Sequence, residues 1–164
     1  MTVEATTPVW TIQDLDLPEN LLVWALRTIA VGQADCHLLD KTFAAACGPV
    51  GAEALAAYFL LVRSISASGR RRMRVHAPGC ACVSLDEVAV IGVVAAAQAS
   101  IRDADETLLK MRLGFLVDAT ASEAIVFAAQ ALGRILERSV HVLPLRLHPA
   151  AKGSFVPTRV NTLH

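Results

Sequence analysis

The chain has 164 residues, long enough for one domain whose core needs no disulfide or metal to hold it. Its 15 Lys and Arg balance 15 Asp and Glu, so no net charge steers the whole molecule toward nucleic acid or an anionic membrane surface. Hydrophobic residues make up 54% and charged ones 18%, an apolar balance that points to an oligomer or a stable partner to cover surface.

The longest charge-free run, Val88 to Ile101, is about fourteen residues of mostly Ala, Val, Gly and Gln. A helical span needs roughly 20 apolar residues, so this run reads as a buried core helix and no membrane span is expected. The opening MTVEATTPVW holds an acid and no basic run before an apolar stretch, so no secretory signal is expected. The expected compartment is therefore the reducing cytoplasm, with the four cysteines as free thiols.

Residues 1–14 read as a flexible N-terminus. In the D-L-P-E run, Asp16 can cap a helix, with Pro18 in the first turn and Glu19 at the third position. The helix opened there stops at Gly32. A second helix is expected over Ala34 to Cys47, ended by Gly48-Pro49, and a third from about Gly51 to Ser68. Leu55, Tyr58, Phe59, Val62 and Ile65 give the third helix a single apolar face. Ser84 with Glu87, Asp103 with Glu106 and Thr120 with Glu123 read as capping boxes for three more helices. These reach about Ser100, Val117 and the Ile125–Ile135 stripe. Trp10 and Trp24 read as packing anchors.

The two halves lie over each other at an offset of about seventy residues without a gap. Leu15-Asp16 meets Leu85-Asp86, Leu38-Leu39 meets Leu108-Leu109, and Ile65 meets Ile135. At an offset two residues larger, Arg74-Val75-His76 meets Arg146-Leu147-His148. The expected fold is an all-α domain over 15–148, with about six helices in two similar three-helix units, 15–77 and 83–148. A small two-stranded pairing is expected between Met73–Ala77 and Val142–His148, with Pro144 at its edge because it cannot donate to a ladder. Residues 149–164 read as a loosely ordered tail.

Chemistry concentrates in GRRRMRVHAPGCAC, residues 69–82. Zinc takes about four N or S ligands in a tetrahedron. The material is Cys36-His37, Cys47, His76, Cys80 and Cys82. Cys36 and Cys47 stand roughly 16 Å apart on one helix and cannot share an ion. A zinc site would have to combine His76, Cys80 and Cys82 with one cysteine of the second helix, Cys47 or Cys36; it is the alternative to having no cofactor. Redox use of Cys80 lacks a thioredoxin-like context.

The basic residues are the better-defined feature. Between Glu53 and Asp86 there is no acid, while Arg63, Arg70, Arg71, Arg72 and Arg74 supply positive charge. After Glu137 there is again no acid, and Arg146 stands among the cations there. Guanidinium groups suit carboxylate or phosphate because their fork permits bidentate contact. Nucleic acid or a phosphate ligand is possible but not favoured, since no polar recognition helix is visible and aromatic residues total 5%. No nucleophile motif, HExxH, phosphate-cradling loop or paired carboxylates occur, so no catalytic residues are assigned. The expected function is a non-enzymatic interaction or regulatory protein. It would contact an acidic partner, or a second copy of itself, through Arg63, Arg70, Arg71, Arg72, Arg74 and Arg146.

Overall fold

The computed structural model describes residues 10–146. The tail expected over 149–164, and His148 of the expected pairing, lie outside the described residues. In chain order the elements are β1 (Trp10–Thr11), a 3-10 turn (Ile12–Asp14), α1 (Leu17–Ala30), α2 (His37–Cys47), a 3-10 turn (Gly48–Val50) and α3 (Gly51–Ser68). Then come β2 (Cys82–Val83), α4 (Leu85–Asp103), α5 (Thr107–Leu113), a 3-10 turn (Ala119–Ala121) and α6 (Ser122–Arg138). The fold is mainly helical with one two-stranded antiparallel sheet.

α4 is the centre of the molecule. Its buried residues run without interruption from Asp86 to Ser100, so it has no solvent face. That matches the charge-free run from Val88, because a helix apolar all round must be enclosed on every side. α6 and α5 pack along it, α1 packs on it, and α3 packs on α6. α3 buries Ala54, Leu55, Tyr58, Leu61, Val62 and Ile65, and the Tyr58 hydroxyl donates to the Leu22 carbonyl of α1 at 2.8 Å.

α2 ends at Cys47 and α3 spans Gly51–Ser68, the bounds expected, and Gly48 at φ 59° stops the first of them. Pro49 sits in the short 3-10 turn that joins them, where its missing N–H is no loss. Gly51 is required at the bend, because a Cβ there would lie 2.6 Å from the Phe43 carbonyl oxygen. The run His37–Ser68 is long and apolar enough to cross a membrane by length and composition, with 39% of its apolar window buried inside the fold.

The expected pairing of Met73–Ala77 with Val142–His148 does not form among the described residues. The sheet instead pairs Trp10 with Val83 and Thr11 with Cys82, and the Ile12 N–H donates to the Ala81 carbonyl at 2.9 Å. Residues 10–14, read from sequence as part of a flexible end, are thus a strand and a turn. Both extended segments are held by side chains. The buried amide of Gln98 receives the Leu143 N–H and donates to the His141 carbonyl, each at 2.8 Å. This leaves the 141–146 segment no need of a strand partner.

Among the described residues, the expected capping box at Ser84–Glu87 is seen in both directions: the Glu87 N–H donates to Ser84 Oγ and the Ser84 N–H to Glu87 Oε2. At the next position α4 runs on through Asp103 to a left-handed Ala104, and Asp105 rather than Asp103 takes the Thr107 N–H. α6 starts at Ser122, after a 3-10 turn that includes Thr120.

Candidate interaction surface

Two adjacent carboxylates at the start of α4 organise the arginine-rich segment. Asp86 and Glu87 fall in the first turn, where the partial positive charge of the helix N-terminus favours acids. Both are buried.

Glu87 forms an ion pair with Arg27 of α1 deep in the protein, their side chains 0% and 3% exposed. The contact is bidentate, Nε to Oε1 at 2.7 Å and Nη2 to Oε2 at 3.1 Å. The same guanidinium donates to the carbonyls of Cys80 at 2.7 Å and Cys82 at 2.5 Å. Glu87 also accepts the backbone N–H groups of His76 and Ser84. Burial works against its charged form. The hydrogen bonds from Arg27, Ser84 and His76 and the charge of Arg27 outweigh that, and hold the carboxyl below the usual range.

Asp86 receives Arg71 through both Nη atoms, at 2.8 and 2.6 Å, and the Arg74 N–H at 2.6 Å. Its carboxyl is likewise lowered: burial opposes ionisation, but the bonds from Arg71 and Arg74 and their charges prevail. Ser84 Oγ donates to the Arg74 carbonyl. The segment from Arg71 to Cys82 is therefore pinned along its backbone, although only Cys82 in it is a strand residue.

The six arginines separate into two groups. Arg70 pairs with Asp118, Arg71 with Asp86, and Arg146 with Glu19. Arg146 reaches both Glu19 oxygens at 2.7 Å and lies 5.0 Å from the Trp10 ring centroid, a cation–π contact. It belongs to the start of α1, not to the Arg71–Arg74 cluster. The two basic stretches were to meet through the pairing that does not form. Arg63, Arg72 and Arg74 are exposed, and among the described residues their side chains have no ion pair.

The expected zinc ligands are not assembled. Among the described residues no group of three or more His, Cys, Asp or Glu is placed to hold a metal ion. Cys47 is buried in the hydrophobic core, whereas the Cys80 and Cys82 carbonyls face Arg27 and Cys82 pairs with Thr11 in the sheet. All four cysteines are free thiols.

Sequence reasoning missed the buried acids and Arg27. Asp16, Glu19, Asp86 and Glu87 look like helix caps, and Glu19 and Glu87 do take the backbone N–H of Asp16 and Ser84. A cap normally stays in solvent, and these two do not. The available signal was Arg27 itself, a lone cation inside the apolar run LLVWALRTIA. A charge at such a position is either exposed or paired, and here it is paired.

Family models, curated proteins and solved structures contain no match to this chain.

Proposed function

We propose that this is a non-enzymatic cytoplasmic binding protein that contacts an acidic protein partner through Arg72 and Arg74, with Arg63 as a further cation. The supporting observation is the division of labour in the 70–77 segment. Its backbone and Arg71 are held by Asp86 and Glu87, while the Arg72 and Arg74 guanidinium groups stay exposed without an ion pair among the described residues. A segment fixed before binding loses little further entropy on association. Free cysteines fit a reducing compartment.

The test is retention on immobilised poly-glutamate at low salt, where charge contacts are strongest. Wild type is retained and elutes early in a salt gradient. R63E/R72E flows through with an unchanged melting temperature; Arg74 is left in place because its charge also supports Asp86. Equal retention of the two proteins refutes the reading, and duplex DNA displacing the wild type at lower concentration than free poly-glutamate would favour a nucleic-acid binder. Arg71 is the wrong residue to reverse, because a carboxylate there would face buried Asp86 and disturb the fold.

We further propose that the chain is an internal duplication of a three-helix unit. In its support, α2 and α5 begin at His37 and Thr107, seventy residues apart, and α3 and α6 end at Ser68 and Arg138, also seventy apart. β1 and β2 each precede the first helix of a unit and pair with each other antiparallel. The segment after α3 reaches Asp86 at the start of α4, and the one after α6 reaches Glu19 at the start of α1. On this reading Arg74 and Arg146 correspond, and Arg70, Arg71 and Arg72, which meet Val142, Leu143 and Pro144 at the same offset, are additions peculiar to the first unit. An experimental structure in which 13–76 and 83–148 do not superpose overturns it.

A further inference from the structure

The pinned cationic segment does not lie flat on the helices beneath it. Leu26 and Ile29 of α1, Val62 of α3, and Met73 and Val75 of the segment surround a cavity of about 340 Å³, with Arg72 also in its lining. That volume is within the range of sites that enclose a ligand group, roughly 300–1,000 Å³. The arrangement joins two recognition elements in one place: an apolar recess, and an exposed guanidinium with no ion pair among the described residues. Arg71, the other cation in the lining, is engaged with Asp86 and serves as wall.

We propose that the acidic partner inserts one large apolar side chain, Leu or Phe, into this recess, flanked by carboxylates that pair with Arg72 and Arg74. The inference rests on the cationic contact with an acidic protein and specifies that partner. An acidic segment without an apolar anchor would leave the recess wet. An apolar segment without acids would leave the guanidinium groups unanswered. Interfaces concentrate their energy where an anchor side chain fills a pocket and rim contacts exclude water from it. Here the recess is the pocket and Arg72 stands at its rim.

The experiment uses two fluorescein-labelled probe peptides, Ac-Asp-Glu-Asp-Leu-Glu-Asp-Glu and the same sequence with Ser in place of Leu. Binding to the full chain is followed by fluorescence anisotropy at low salt. The Leu peptide should bind roughly tenfold more tightly than the Ser peptide, as expected for burying one such side chain. Ser66 lines the recess from the exposed face of α3, so Ser66→Trp fills the space without altering charge. In that variant the Leu preference should disappear while weak binding of both peptides persists, with circular dichroism and melting unchanged.

Equal binding of the two peptides to wild type overturns the recess and leaves the cationic contact standing. A Leu preference that survives Ser66→Trp also overturns it. Binding of neither peptide overturns both proposals. Concentration-dependent dimerisation of the chain that Ser66→Trp abolishes would assign the recess to a second copy instead.

Discussion

Replacing Arg27 with Met should be among the most damaging single changes available at the surface-organising site. The methionine side chain fills similar apolar space, but the change leaves Glu87 buried with only the His76 and Ser84 N–H groups as donors. It also removes the donors from the Cys80 and Cys82 carbonyls, so the chain that leads into β2 loses its anchor. Breaking a buried pair by deleting one partner costs about 3–5 kcal/mol, mostly as uncompensated charge. For a chain of this size that corresponds to a fall in melting temperature of about 6–20 °C.

Urea unfolding monitored by circular dichroism, at neutral pH and near pH 4, checks both the size and the origin of the loss. In wild type the Glu87 pKa is lowered from an ordinary 4.5. Its contribution to stability is therefore present above that value and is lost as pH falls through the folded pKa. In Arg27→Met, burial without the guanidinium raises the carboxyl, so the folded variant takes up a proton more readily than the unfolded chain. The stability gap between the two proteins should accordingly narrow on acidification. Adding Glu87→Gln to the variant should recover part of the loss at neutral pH, because the buried charge is gone while an acceptor remains. A loss under about 1 kcal/mol, or one independent of pH, would show that no uncompensated charge is created.

Three further changes test other parts of the fold. α6 ends with His141 N–H to the Leu136 carbonyl and Val140 N–H to the Glu137 carbonyl, the hydrogen bonds of a Schellman motif, which places exposed Val140 at φ 65°. A β-branched residue is strained there, so Val140→Gly should stabilise by about 1 kcal/mol in thermal unfolding; a loss of stability would show that Val140 makes a contact that matters more than its backbone. Tyr58 is the sole tyrosine, and its hydroxyl is pushed well up by burial and then by the charge of Glu87. Alkaline titration by ultraviolet absorbance should show no phenolate near pH 10, where a free tyrosine ionises, until the protein unfolds. Asp86 has its pKa lowered from 3.8, so it supports the fold above that pH and ceases to as pH falls. Asp86→Asn should therefore flatten the acid limb of a stability–pH curve, and an unchanged limb would remove Asp86 from the account.

The helical character was legible in the sequence for local reasons. The stripe of Leu55, Tyr58, Val62 and Ile65 requires one buried face, and the charge-free run after Glu87 requires enclosure on all sides; α3 and α4 show both. Helix ends were less legible wherever several residues could cap. Asp103 and Asp105 offer the same chemistry two residues apart, and only the left-handed turn at Ala104 selects the second. The strand pairing was misassigned because two-residue strands carry almost no periodicity.

The candidate surface was legible as composition but not as geometry. A run of arginines is visible in any reading of residues 70–74. Which of them bind solvent and which bind the protein depends on carboxylates brought from elsewhere in the chain, Asp118 for Arg70 and Asp86 for Arg71. The same holds for Cys80 and Cys82, whose spacing suggested a metal and whose carbonyls instead face Arg27, more than fifty residues away.

Neighbours along the chain were enough to establish the apolar periodicity, the Ser84–Glu87 cap and the absence of acids around the arginines. They could not establish which charges are buried, which are spent and which remain free. Desolvation and ion pairing depend on distances across the fold, and those arise only when α1 and α4 pack and bring Arg27 against Glu87.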